Sequence, residues 1–114
     1  MKTMKIEKRQ VKDVTVFDLK GKILIGDSID VLREAIKESL DKAEKNIVLN
    51  FNAVPYLDST GLGEVVRSYT SVKKEDGVIK IANLTDKVQD LLSVTKLITV
   101  FEVFDTVDEA VDSF

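Results

Sequence analysis

A nearly continuous apolar run near the middle of the chain constrains the fold most: Ile47-Val48-Leu49-Asn50-Phe51. A strand with one solvent-exposed face alternates apolar and polar residues, whereas a run that is apolar on both faces is typical of a strand covered on both sides in a parallel sheet. Parallel neighbours need a crossover of about a dozen residues or more, which is usually a helix. The run therefore predicts a central strand with helical connections before and after it.

The segments on both sides of this run have the periodicity of amphipathic helices. Apolar residues recur at helical spacing at Leu32, Ala35, Ile36 and Leu40, and again at Leu62, Val65, Val66, Tyr69 and Val72. We predict further strands over residues 4–9, 14–19, 78–81 and 100–103, a helix capped by Asp27 or Ser28, a helix from Ser59, a helix that starts at Asn83 or Thr85, and a terminal helix capped by Thr106. This alternation indicates an α/β fold with a mixed, mostly parallel sheet in the order ββαβαβαβα.

Length and composition fit one domain over residues 1–114. A chain of 114 residues, 44% of them hydrophobic, buries roughly two-thirds of its unfolded surface, and no linker of glycine or proline divides it. The formal net charge is −3 and lysines alternate with acids, so we expect no direct binding of nucleic acid. The basic residues Lys2, Lys5, Lys8 and Arg9 are interpreted as solvated side chains of an edge strand.

Missing residue types exclude several classes of site. The chain has no cysteine and no histidine, which excludes disulfides, thiolate and imidazole metal sites, and hydrolases of the usual Ser-His-Asp or Cys-His type. We expect neither metal nor cofactor, and Asp27 and Asp30 are interpreted as a helix cap and a first-turn acid. The sequence shows no signal peptide and no segment approaching the roughly 18 apolar residues of a membrane span, so we expect a soluble cytoplasmic protein.

The loop after the apolar run opens the next helix with the motif Asp58-Ser59-Thr60-Gly61-Leu62-Gly63. The free N–H groups and the macrodipole of a helix's first turn favour negative charge, so the fold would tolerate a phosphate on a hydroxyl there. Either Asp58 or Ser59 can cap the helix. Either Ser59 or Thr60 can accept the phosphate, and the other hydroxyl can satisfy a backbone donor. The two glycines either admit a partner close to the backbone or pack tightly against the sheet.

The motif and its flanks resemble the STAS domain, and in particular the small, stand-alone bacterial anti-sigma factor antagonists. Leu57 and the six residues after it carry the family pattern Asp-Ser-(Ser/Thr)-Gly-(aliphatic)-Gly. Supporting residues cover almost the whole chain: Gly21, the apolar run, Gly77-Val78-Ile79-Lys80-Ile81-Ala82-Asn83, Phe101-Glu102-Val103-Phe104 and Glu109-Ala110. Many family members have aspartate where this chain has Asn50. The resemblance implies a single STAS domain over residues 1–114.

The resemblance also implies a regulatory protein and not an enzyme. Without phosphate, the chain would bind an anti-sigma factor that is itself a serine protein kinase, and a sigma factor would be released. Phosphorylation of Ser59 would break the complex, and a serine phosphatase would reset it. The partner-binding residues predicted in this way are Asp58, Ser59, Thr60, Gly61, Leu62 and Gly63.

Other functions are less well supported by the residues. A serine hydrolase needs a Gly-x-Ser-x-Gly elbow and a base, a P-loop needs Gly-Lys-Ser/Thr, and Asn50 cannot be the acceptor of an aspartyl-phosphate receiver. The alternative that stays open is a STAS scaffold or sensor subunit of a larger signalling assembly, with or without weak nucleotide binding. A STAS fragment of a transporter is less expected, since no membrane portion accompanies the chain.

Overall fold

The computed structural model describes residues 4–114. Its elements are β1 (Lys5–Val11), β2 (Val14–Lys20), α1 (Asp27–Asp41), β3 (Asn46–Ala53), α2 (Ser59–Lys74), β4 (Val78–Ala82), α3 (Asp86–Val94), β5 (Val103–Phe104) and α4 (Val107–Asp112). A short 3₁₀ turn, Leu97–Thr99, lies between α3 and β5. The predicted order ββαβαβαβα is confirmed. The predicted basic residue Lys2 lies outside the described residues.

Within residues 4–114, five strands form one sheet in the order β1-β2-β3-β4-β5. β1 and β2 form an antiparallel hairpin, and β2 through β5 are parallel to one another. The basic side chains of Lys5, Lys8 and Arg9 are exposed on the edge strand β1, as predicted. Because β2 and β3 run in the same direction, the loops that follow them meet at one edge of the sheet.

Strand β3 has apolar cores on both faces, which explains its nearly continuous apolar run. Ile47, Leu49 and Phe51 face the larger core, together with buried residues of α1, α2 and α3. Val48 faces the smaller core on the other side, where α4 covers the sheet. No helix in the described part of the chain combines the length and the apolar character needed to cross a membrane.

The last strand differs from its prediction over residues 100–103. Only Val103 and Phe104 pair with β4, opposite Ile81 and Ala82. The preceding residues belong to the 3₁₀ turn and its exit, where the N–H groups of Val100 and Phe101 both donate to the carbonyl of Leu97 (2.9 and 3.2 Å). The apolar residues of this segment therefore indicated a strand wrongly, and of Val100 and Phe101 only Phe101 is buried.

Helices α1 and α3 both lack a side-chain cap, which corrects the prediction that Asp27 or Ser28 caps α1. Helix α1 begins at Asp27 but has Gly26 as its N-cap, and the hydroxyl of Ser28 bonds to the backbone of Leu24. Of the two predicted starts of helix α3, Thr85 is confirmed as its N-cap residue, but the hydroxyl of Thr85 donates to the carbonyl of Val54 (2.9 Å) and makes no capping bond. In both cases the polar side chain ties the helix start to a neighbouring loop.

The start and the end of α4 are both fixed by side chains. Thr106 accepts the N–H of Glu109 (3.1 Å), which confirms the predicted cap. At the other end, Nζ of the buried Lys80 donates to the hydroxyl (2.7 Å) and the carbonyl (3.1 Å) of Ser113 and lies 4.4 Å from the centre of the Phe114 ring. These contacts hold the end of α4 on β4.

Candidate functional site

Asp58 is the N-cap of α2 and also binds the loop after β2. Its Oδ1 accepts the N–H of Gly61 (2.7 Å), and its Oδ2 accepts the N–H of Ile25 (3.0 Å). The first bond satisfies a donor in the first turn of the helix, and the second fixes a residue 33 positions earlier in the chain. The open question of the cap is thus answered in favour of Asp58.

The loop after β2 (residues 21–26) and the loop after β3 (residues 54–58) are joined by backbone contacts as well. The N–H of Ile23 donates to the carbonyl of Tyr56 (3.2 Å), and the carbonyl of Ile23 accepts the N–H of Asp58 (3.2 Å). Ile23 and Leu57 thereby form an isolated parallel bridge that extends the pairing of β2 with β3. The two loops are therefore joined by hydrogen bonds around the start of α2.

The carboxylate of Asp58 is stabilised in its charged form. The N–H of Ile25, followed by that of Gly61, lowers the pKa of Asp58 below its ordinary value of 3.8. Hydrogen bonds donated to a carboxylate favour its ionised form. Asp58 is therefore an anion at neutral pH, directly before Ser59.

The hydroxyl groups of the motif are free and accessible. Ser59 is the first residue of α2, and both Ser59 and Thr60 are exposed. Neither hydroxyl has a hydrogen-bond partner in residues 4–114. The expectation that one of them satisfies a backbone donor is therefore wrong, and either can be reached from solvent.

The two glycines of the motif have different roles. A Cβ atom on Gly61 would lie 2.0 Å from the carbonyl oxygen of Ile23, so this glycine packs against the loop after β2 and not against the sheet. A Cβ atom on Gly63 would have no atom within 4 Å, and this residue is exposed. Leu62 is buried in the larger core. Of the predicted partner-binding residues, Gly61 and Leu62 thus face inward, and the outward surface is formed by Ser59, Thr60, Gly63 and part of Asp58.

Two apolar residues beside the motif were missed by the sequence analysis. The side chain of Ile25 is 75% exposed and that of Tyr56 is 45% exposed. Each lies on one of the two joined loops. Hydrophobic periodicity assigns a face to residues in helices and strands, but no such pattern exists for loop residues, so their exposure had no signal in the sequence.

A family model for the STAS domain matches residues 5–110. The chain belongs to the STAS domain family. The anti-sigma-B factor antagonist of Bacillus subtilis (strain 168) is 35% identical over 77 residues, which cover 67% of this chain and 69% of that protein. The crystal structure of a putative anti-sigma factor antagonist from Thermotoga maritima superimposes with a TM-score of 0.87 at 25% identity, covering 95% of this chain and 92% of the other.

STAS domains also occur as parts of much longer relatives. The putative sulfate transporter YvdB of Bacillus subtilis (strain 168) is 27% identical over 92 residues, which are 81% of this chain but 17% of the transporter. The likeness therefore concerns the domain alone.

In this STAS domain, Asn50 joins the carboxyl ends of three strands. Its Nδ2 donates to Oδ1 of Asp18 (2.8 Å), and its Oδ1 accepts from Nδ2 of Asn83 (3.0 Å). Burial by itself raises the pKa of Asp18, but hydrogen bonds from Arg9 and Asn50 outweigh it, and the pKa is below its ordinary value of 3.8. An ionised aspartate at position 50 could not donate to Asp18, whereas the amide of Asn50 can.

A groove lies between α1 and α2 of the STAS domain. It has a volume of about 280 Å³, and its lining includes Arg33 and Glu64, whose side chain is 4% exposed. Arg33 donates to both carboxylate oxygens of Glu64, from Nη2 (2.8 Å) and from Nε (3.3 Å). This ion pair connects the two helices behind the exposed motif.

Proposed function

We propose that this STAS domain is an anti-sigma factor antagonist that is controlled by phosphorylation of Ser59. The unmodified domain binds an anti-sigma factor that is also a serine kinase, and a sigma factor is thereby released. Phosphorylation ends the complex, and a serine phosphatase restores the binding form. The observation that carries the proposal is the free, exposed hydroxyl of Ser59 at the first position of α2. The antagonists among the relatives support the same function.

The proposed phosphoryl transfer divides its chemical groups between the two proteins. Oγ of Ser59 attacks the γ-phosphorus of an ATP held by the kinase, the bond to the β-phosphate oxygen breaks, and ADP leaves. The hydroxyl proton passes to a base. Both carboxylate oxygens of Asp58 accept backbone N–H groups of this chain. Asp58 therefore holds the acceptor in place, and the kinase supplies the base.

The added charge acts on binding and not on folding. A phosphate adds roughly −1.5 to −2 charges at neutral pH, beside the anionic Asp58. The first turn of α2 tolerates this charge through its N–H groups and its dipole. A partner surface that fits a neutral hydroxyl would have to desolvate a dianion, which costs far more than burying a hydroxyl. The complex dissociates because the two forms differ in affinity for the partner.

The experiment combines the purified domain, ATP and the kinase anti-sigma factor of the same organism. Mass spectrometry locates the phosphate, and calorimetry measures binding for Ser59→Ala, Ser59→Asp and the matched control Thr60→Ala. We expect Ser59→Ala to bind without being phosphorylated, Ser59→Asp to bind at least about tenfold more weakly, and Thr60→Ala to behave like the wild type. Phosphorylation of Ser59→Ala, or wild-type binding by Ser59→Asp, would contradict the proposal and favour a scaffold role.

A further inference from the structure

We propose that Ile25 is the apolar anchor by which this STAS domain docks, and that its partner is an anti-sigma factor with an apolar recess beside the bound serine. This inference rests on the proposed function and adds a residue outside the motif. It assigns the loop after β2 a direct part in binding.

The side chain of Ile25 projects from the domain surface. It is 75% exposed, and its neighbour Gly26 leaves open space where a Cβ atom would stand. Single exposed apolar residues are common on protein surfaces. Here, however, Tyr56 on the adjoining loop is also exposed, so each of the two joined loops presents one exposed apolar residue.

The backbone that presents Ile25 is already fixed in the free domain. Its N–H donates to Asp58, and its neighbour Leu24 donates to the hydroxyl of Ser28 (2.8 Å). Ile23 is held on both sides, through its own N–H and through its carbonyl. A side chain on a pre-ordered loop loses less conformational entropy on binding than one on a mobile loop, which favours its use as an anchor.

Ile25 and Ser59 are held by the same residue. Asp58 accepts the N–H of Ile25 and is bonded covalently to Ser59, so the anchor and the phosphate acceptor have a fixed separation. A partner that covers Ser59 must also approach Ile25. An apolar recess there would exclude water from the contact around the serine. Because charges interact more strongly where water is excluded, a phosphate on Ser59 would then weaken the complex more.

The test measures binding of the purified kinase anti-sigma factor to the wild type, to Ile25→Ala and to a matched control. The control is Val94→Ala, since Val94 is an aliphatic residue of similar exposure (80%) at the end of α3. We expect Ile25→Ala to bind about tenfold more weakly, as for a buried interface side chain, with an unchanged melting temperature. Val94→Ala is expected to bind like the wild type. If Ile25→Ala binds like the wild type, or if both variants lose affinity equally, the proposal that Ile25 is an anchor is overturned.

The same titrations separate this inference from the proposed switch. If Ser59→Asp binds more weakly while Ile25→Ala binds normally, the proposed role of Ile25 is wrong and the phosphorylation switch stands. If Ile25→Ala is weakened while both Ser59 variants bind like the wild type, the anchor stands and the switch is wrong. Sedimentation of the free domain tests whether Ile25 instead contacts a second copy of this domain. If the wild type is a dimer and Ile25→Ala is a monomer, the assignment to an anti-sigma factor is overturned.

Discussion

The carbonyl oxygen of Ile23 lies only 2.0 Å from the position that a Cβ atom on Gly61 would occupy. The same oxygen accepts the N–H of Asp58 (3.2 Å). The start of α2 and the loop after β2 are therefore in direct backbone contact. Any residue larger than glycine at position 61 has to separate them.

Replacing Gly61 by alanine should destabilise the domain. The added methyl group meets backbone and not a flexible side chain, so we expect a loss of about 1–3 kcal/mol or more in the free energy of unfolding. Gly63→Ala is the matched control, because its methyl group meets nothing within 4 Å. It should be neutral or stabilise the helix by up to about 1 kcal/mol. Urea denaturation of both variants measures the difference, and equal losses would contradict the packing argument.

Gly63→Ala also tests how closely a partner approaches the helix. The substitution leaves the fold intact but adds a methyl group to the exposed surface beside Ser59. If the anti-sigma factor contacts this backbone directly, binding should weaken by about tenfold or more while the melting temperature is maintained. Unchanged affinity would show that the interface leaves a gap at this position.

Replacing Asp58 by asparagine should change how stability depends on pH. The N–H groups of Ile25 and Gly61 hold the pKa of Asp58 below 3.8 in the folded chain. A carboxyl group with a lowered folded pKa adds stability above its unfolded pKa and loses it as the pH falls through the folded pKa. The wild type should therefore exceed Asp58→Asn in melting temperature at neutral pH, and the difference should shrink below pH 3.8. A difference that stays constant from neutral to acid pH would show that the charge of Asp58 contributes nothing.

Replacing Asn50 by aspartate should destabilise the domain at neutral pH. The change removes the donor to Asp18 and places a second carboxylate at the 2.8 Å contact, for a cost of about 1–3 kcal/mol. Repulsion raises a carboxyl pKa in the folded variant, so the deficit should be greatest at neutral pH and decrease on acidification. The combined exchange Asp18→Asn with Asn50→Asp restores a donor and an acceptor. Chemical denaturation of the wild type and these two variants should show this recovery. If stability does not recover, the loss in Asn50→Asp does not come from the contact with Asp18.

Replacing Arg33 by methionine should lower the melting temperature. The change leaves the buried carboxylate of Glu64 without the partner that donates to both of its oxygens. The double variant Arg33→Met with Glu64→Met removes both charges and should recover most of the loss. Calorimetric melting of the two single variants and the double variant forms the cycle. Additive losses would mean that the two side chains do not stabilise each other.

The regular elements could be predicted because local pattern and burial coincide in them. The run from Ile47 to Phe51 is apolar on both faces, since one core lies on each side of β3. The stripe from Leu62 to Val72 faces the larger core at helical spacing. In these segments the spacing of the apolar residues follows directly from which faces of the strand or helix are buried.

Other features depend on tertiary contacts that carry no local signal. Gly61 packs against Ile23, which is distant in sequence, so its role could not be distinguished from that of Gly63. The strand around Val103 is short because only two residues reach β4. The loop that carries Ile25 is held by a hydrogen bond from its backbone to Asp58, 33 residues later in the chain.

The burial of Lys80 makes this side chain a natural reporter for the detachment of α4. Its side chain is 6% exposed, and its ammonium group donates to Ser113 and lies over the ring of Phe114 as long as the helix stays docked. Reagents that acylate amines should therefore label the surface lysines quickly and Lys80 slowly. The rate of labelling at this one amine, measured by peptide mass, would give the frequency with which the C-terminal helix opens, without a probe having to be introduced.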